Sequence, residues 1–206
     1  MNNFKTYVLI LSGLMGSSAA MAAGTVMTGD AISGSGATGT VNITGTVTSS
    51  TCSVSLDQPW QNIYIARSQF TDPGVSNGSV VSQPYSTITF TGCNGQNIKA
   101  TIQAQTVQSG DAWYGKFPQV DTSFIRYVAG FSGEGVTGGN ATMIPGAHLA
   151  ALDGTDGGKQ PVTIAVNSDD YKLKVLAGIV KQAIYADAGQ VPSLIQTSYT
   201  YKLTYL

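Results

Sequence analysis

Apolar and polar residues alternate with a period of two through most of this chain, and that is the period of a β-strand with one buried face. The clearest case is the stretch 40–54, TVNITGTVTSSTCSV. Val41, Ile43, Gly45 and Val47 point one way, and Asn42, Thr44, Thr46 and Thr48 point the other. The same alternation predicts strands at 61–67 (Ile63, Ile65), 86–93 (Ile88, Phe90), 98–105 (Ile98, Ala100, Ile102, Ala104), 123–131 and at Val162, Ile164 and Val166. An apolar run over 171–186 is richer in Val and Ile than a helix needs and reads as a strand. So does 199–206, where Tyr199, Tyr201, Leu203 and Tyr205 alternate with Thr200, Lys202 and Thr204. Asp72-Pro73-Gly74, Asn77-Gly78, 133–140 and 152–158 mark turns. Loops are expected around Trp113 and over 188–198. No segment has convincing helical periodicity. Many short strands with Gly and Pro turns predict an all-β sandwich or barrel.

Two readings of the first stretch stand open. Residues 40–56 form one long first strand, or they form two joined strands with different partners. In the second reading the part from Thr46 belongs to the home domain and the part before it belongs to a neighbouring molecule.

Composition narrows the class. The chain has 206 residues, 42% of them hydrophobic, 10% charged and 25 of them glycine. Residues 1–22 carry Lys5, an apolar run over 7–15 and the small residues Ala20 and Ala22, the pattern of a secretory leader cleaved before Ala23. No stretch approaches the roughly 20 apolar residues of a membrane-spanning helix, so no membrane insertion is expected. The formal net charge is −1, with no basic patch, which argues against nucleic acid as a partner. Two cysteines, Cys52 and Cys93, behind a leader imply a disulfide formed in an oxidising compartment. Residues 23–39 are rich in Gly, Thr and Ser and lack the apolar content to fold alone. Candidate chemistry is sparse. His148 is the lone histidine, no Gly-x-Ser-x-Gly or His-Glu-x-x-His pattern occurs, and neither an enzyme nor a cofactor or metal is expected. Trp113 and Tyr114 are the candidate receptor or subunit contacts.

Together these features resemble the subunits of chaperone–usher pili of the type 1 kind. They are the leader, the alternating approach to Gly45 and Val47, the Cys52-Ser53-Val54 step, the second cysteine about 40 residues on, and the penultimate Tyr205 in the run Tyr201-Lys202-Leu203-Thr204-Tyr205. The resemblance spans the chain from Ala23 onward, with its motifs at the two ends. It implies an incomplete immunoglobulin-like β-sandwich lacking its last strand, with 23–45 a donor-strand extension and 46–206 the pilin domain. Val41, Ile43, Gly45 and Val47 would enter a groove beside the C-terminal strand of the next subunit, whose Tyr201, Leu203, Tyr205 and Leu206 a periplasmic chaperone would first hold. The implied partners are related pilin subunits, that chaperone and an outer-membrane usher, with export through the periplasm to a fimbria on the bacterial surface. The alternative is an adhesive or carbohydrate-binding minor subunit that meets a host receptor or glycan. Two departures touch the donor register: the lead before Val41 is longer and richer in glycine than in type 1 pilins, and Ser193 stands where the family often has glycine.

Overall fold

A computed structural model describes residues 36–47, 52–121 and 123–206. The expected leader and the rest of residues 1–35 lie outside the described residues. In chain order the strands are β1 Gly36–Val47, β2 Ser53–Leu56, β3 Trp60–Ala66, β4 Val80–Ser82, β5 Tyr85–Thr91, β6 Asn97–Ala104, β7 Val107–Gln108, β8 Asp111–Gly115, β9 Ile125–Ser132, β10 Val136–Thr137, β11 His148–Leu149, β12 Val162–Ala165, β13 Asp170–Lys181 and β14 Leu194–Tyr205. One helical turn, Ser68–Thr71, and a 3-10 turn at Ala188–Gln190 complete the described elements.

The strands form two sheets. The first runs β10-β12-β6-β14-β1-β3, and the second runs β2-β5-β13-β9-β8-β7, with β4 and β11 pairing onto β13 and β9. Inward side chains from both sheets make one core. Ile98, Ile102, Ile164 and Leu203 on the first meet Ile88, Phe90, Phe131, Leu173 and Val175 on the second. This is an all-β, immunoglobulin-like sandwich, and the alternation in the sequence is its direct cause: on β6, Ile98, Ala100, Ile102 and Ala104 are buried while the residues between them are not.

A second apolar cluster lies on the outer face of the β13 sheet, where Val128, Leu176 and Val180 pack under Ile144, Ala147 and Leu149. Gly178 makes this possible, because a Cβ there would come within 2.7 Å of the Ile144 Cδ1. Gly115 has a similar reason: the ring of its partner Tyr127 lies where a Cβ would sit, 2.2 Å from the nearest ring carbon.

Cys52 and Cys93 are joined, 41 residues apart, across the β2–β5 pair. A loop of that length makes the bridge worth about 4 kcal/mol on a chain-entropy estimate. Lys181 is fully buried at the end of β13. Its Nζ donates to the carbonyls of Asp72 (2.6 Å) and Val75 (2.8 Å), tying down the connection that leads to β4.

Several boundaries differ from the pattern. The strand expected from Thr46 onward is broken: Val47 ends β1 in one sheet and Ser53 begins β2 in the other. Residues 194–198, expected as loop, extend β14, because Ile195 and Thr197 continue the inward series of Tyr199 while polar neighbours dilute it. Trp113 and Tyr114 lie on a short strand rather than a loop. The run from Tyr171 leaves strand after Lys181.

Candidate functional site

The arrangement with functional consequence is the middle of the first sheet. β14 is long and regular, and Ile195, Thr197, Tyr199, Tyr201 and Leu203 all face the core. On one side, Tyr199–Tyr205 pairs antiparallel with β6. On the other, residues 194–203 pair with β1 in parallel, Val41 opposite Thr197, Ile43 opposite Tyr199, Gly45 opposite Tyr201 and Val47 opposite Leu203. Across β1 stands β3, antiparallel to it from Gly36↔Ala66 to Asn42↔Trp60. Just past that ladder, the Ile43 amide donates to the Pro59 carbonyl at 2.7 Å.

So β1 is hydrogen-bonded on both edges, and its Val41 and Ile43 are buried in the core of their own chain, 0% and 1% exposed. Its place in the sheet is next to the edge, between β14 and β3. It is the first described element, and it reaches the rest of the chain through the short connection to β2. β3 takes its place in the sheet only through β1. Taking β1 away would leave the edges of β14 and β3 facing each other across about 10 Å, twice the spacing between paired strands. It would also uncover the seats of two aliphatic side chains, each contributing roughly 1.5–3 kcal/mol of burial. An unpaired edge beside an apolar slot is a template for another strand.

The floor of the slot is aromatic. The Tyr199 hydroxyl is buried and has no hydrogen-bond partner among the described residues. Burial, then the neighbouring Tyr127 and Tyr201 hydroxyls, push its pKa far above the ordinary tyrosine value. Burial likewise pushes Tyr201 up to about 12. It does the same for Tyr127, also to about 12, against a hydrogen bond from Thr197 that pulls the other way. At the far end Tyr205 is half-buried, and its hydroxyl donates to Cys52 Sγ at 2.6 Å, so the disulfide and the end of β14 touch. Leu206 is exposed, its amide held by the Asn97 carbonyl at 2.9 Å.

The remaining candidates lie elsewhere. Trp113 packs close to Gly157, where a Cβ would meet the indole Cζ2 at 2.9 Å. The Tyr114 hydroxyl points at Met143 Sδ, 3.9 Å away, with the Arg126 guanidinium 5.4 Å from its ring centre. Beside Met143 a groove of about 330 Å³ opens between Val80–Gln83 and Met143–Pro145. His148 Nδ1 lies 2.8 Å from the Gly138 carbonyl, a contact in which the ring nitrogen must donate, and this ties two loops together. Sequence reasoning missed β3 as the second wall of the slot. The signal was there in Ile63 and Ile65, but nothing in a linear pattern says that their strand has its partner in β1. It also missed Lys181, an inward position on a strand otherwise read as apolar.

No protein-family model matches the chain, and no curated protein matches it. One solved structure with a partial likeness is that of the adhesin CfaE of CFA/I enterotoxigenic E. coli, in a mutant form. The identity is 10% and the TM-score 0.24, over 70% of this chain and 51% of that one. The chain thus spans about half the length of that protein, and a likeness this slight carries no functional argument.

Proposed function

We propose that this chain is a structural subunit of a bacterial surface fibre of the chaperone–usher kind, and that it polymerises by passing β1 from one copy to the next. The observation that carries this reading is the seat of β1. A strand that precedes the disulfide loop sits between β14 and the edge strand β3, and its removal opens one slot that another strand of the same shape can fill. In a free subunit the slot is closed by the chain's own β1; in a fibre it would be closed by a neighbour's. Both states bury Val41 and Ile43, so polymerisation exchanges equivalent contacts instead of creating a new surface. The leader at 1–22, the chaperone that would guard the slot and the outer-membrane usher follow from the resemblance set out above, as does delivery through the periplasm to the cell surface.

The second reading, an adhesive or carbohydrate-binding minor subunit, draws on the groove beside Met143 and on Tyr114 next to it. The indole of Trp113, set against Gly157, offers less open ring for stacking on a sugar, and this weighs for the structural role.

The test is Ile43→Asp in the mature chain. A carboxylate cannot sit in the apolar slot, so this variant should lose its own β1 while keeping the slot. Mixed with wild type it should accept a strand but donate none, shortening fibres seen by electron microscopy. A synthetic peptide copying residues 34–47 should occupy its slot. A variant that neither binds the peptide nor enters wild-type fibres, while wild type itself stays monomeric, contradicts the reading.

A further inference from the structure

Two Asn-Gly steps occur in the chain, Asn77-Gly78 and Asn94-Gly95, each in a turn whose glycine has a left-handed φ, +84° and +79°. Asn-Gly is chemically labile in water. The glycine amide nitrogen gives up its proton to water or hydroxide and attacks the asparagine side-chain carbonyl carbon, with no side chain on the glycine to hinder the approach. A C–N bond forms, ammonia leaves and a succinimide ring closes. Water then opens the ring, and the residue ends as aspartate or isoaspartate. Burial screens neither step here. Both asparagines and both glycines are exposed, and a Cβ on either glycine would meet nothing within 4 Å.

The restraint acts on the attacking nitrogen instead. The Gly78 N–H donates to the Lys181 carbonyl at 2.6 Å, and the Gly95 N–H donates to the Val166 carbonyl at 2.8 Å. A nitrogen held in this way keeps its proton and cannot turn toward the neighbouring side chain. We infer that Asn77 and Asn94 are sites of spontaneous deamidation that the fold holds closed through these two amides, and that Lys181 is the latch over Asn77.

Lys181 grips the connection from Asp72 to Ser79 with both its backbone and its side chain. Its carbonyl takes the Gly78 N–H, and its own N–H donates to the Ser79 carbonyl at 3.0 Å. Its Nζ, fully buried, donates to the carbonyls of Asp72 and Val75, which lie on the same connection. An inward position on β13 calls for an apolar side chain, and the ammonium stands there because the loop supplies its acceptors. Each hydrogen bond to a charged donor is worth on the order of tenfold in an opening equilibrium. The second step has a separate anchor. Beside Asn94, the Val166 N–H donates to the Gln96 carbonyl at 2.9 Å, and Cys93 is tied by the disulfide. The two steps thus share one chemistry and differ in what holds them. A copy whose 72–79 connection has let go gains a carboxylate at position 77, an irreversible record of the opening, while Asn94 stays as it was.

Mass spectrometry of the peptides carrying residues 77 and 94 reads both conversions. Full-length mature protein is incubated at mildly alkaline pH, folded and, in parallel, reduced and unfolded in urea. Both sites should convert at least about tenfold more slowly in the folded protein. Either site converting as fast folded as unfolded would overturn the shelter. Lys181→Met keeps the length of the side chain and removes its donors. It should speed conversion at Asn77 roughly tenfold or more and leave Asn94 unchanged. In a variant that still melts cooperatively, no change at Asn77, or equal acceleration at both sites, would overturn the latch. If Lys181→Met does not fold, amide exchange on the wild type decides the same point. The Gly78 and Lys181 amides cross one gap in opposite directions and should exchange together; a Gly78 amide that exchanges at the unfolded rate while that of Lys181 stays protected would overturn the latch.

Discussion

The centres of the two sheets are built differently. In one, β13 is flanked by β5 and β9, both antiparallel, and it takes β4 along its length as well. A disulfide staples the neighbouring β2–β5 pair. Every strand of that core follows Cys52, so no end of the chain can carry one away. In the other sheet β14 lies at the middle and β1 beside it, between β14 and the edge strand β3; β1 lies before the disulfide loop and runs parallel to β14. The two centres bury similar side chains to a similar degree: Val41 and Ile43 in one, Leu173 and Val175 in the other. Burial alone therefore does not distinguish a fixed strand from an exchangeable one. A strand held between two others inside the disulfide-closed core can leave its sheet only by unfolding the domain; β1, ahead of the disulfide loop, is the strand that the proposed exchange would move.

The largest expected effect comes where the two regions share a neighbour. Leu203 faces the core from β14, wholly buried. Leu203→Asp places an unpaired charge there, a cost in the class above about 4 kcal/mol for a marginally stable domain. No folded protein should accumulate, and no added strand should restore it, because the wall of the slot itself is lost. A soluble, cooperatively melting Leu203→Asp protein would contradict the placement of β14.

A smaller effect separates the two sheets more sharply. Ile43→Ala and Ile88→Ala each remove most of a buried isoleucine, and each should cost roughly 2–5 kcal/mol. Thermal unfolding should show similar losses. Adding an excess of the peptide 36–47 with its native sequence should restore the Ile43→Ala protein, since the peptide replaces the damaged strand. It should do nothing for Ile88→Ala, whose damage sits on β5. Equal rescue, or none for either, would erase the distinction.

The aromatic floor of the slot gives the mildest probe. Tyr127, Tyr199 and Tyr201 all hold their protons more tightly folded than unfolded, because burial penalises the phenolate. A folded pKa raised above the unfolded value near 10 means that stability is whole below about pH 10. It is then lost as pH climbs towards 12, while the unfolded chain ionises and the folded one resists. Denaturant titrations across that window should show the fall. Tyr199→Phe removes a buried hydroxyl without a partner among the described residues. It should leave stability unchanged or raise it by about 1 kcal/mol at neutral pH, and should make the alkaline fall shallower. A loss of stability at neutral pH would mean that the hydroxyl has a partner in the folded protein.

Much of this was legible beforehand, and the limits have physical reasons. The all-β sandwich, the inward faces of β6, β12 and β14 and the pairing of Cys52 with Cys93 follow from period-two patterns and from an even count of two cysteines, which are local or countable signals. The direction in which a strand runs against its partner is neither. Nothing in Val41-Asn42-Ile43 distinguishes parallel from antiparallel insertion. The start of β14 was hidden because Gln196 and Ser198 are polar residues at a sheet margin, a composition that reads as loop; the Ser198 hydroxyl donates to the Gln105 side chain, and the Gln196 backbone N–H donates to the Gln119 side-chain carbonyl. Lys181 broke the inward apolar rule because two backbone carbonyls, far away in sequence, were there to receive it.

Native-state hydrogen exchange on the monomeric mature protein compares the two sheet centres directly, following the amides of β1 and of β13 under conditions where opening is slower than labelling. An exchangeable β1 opens as a unit of its own, at a free energy below that of global unfolding. Its amides should therefore exchange together and clearly ahead of those of Leu173 to Ile179, and the β14 and β3 amides bonded to it should follow the faster set. If β1 and β13 exchange only together, through global unfolding, then β1 is an ordinary core strand and the account of an exchangeable one is wrong.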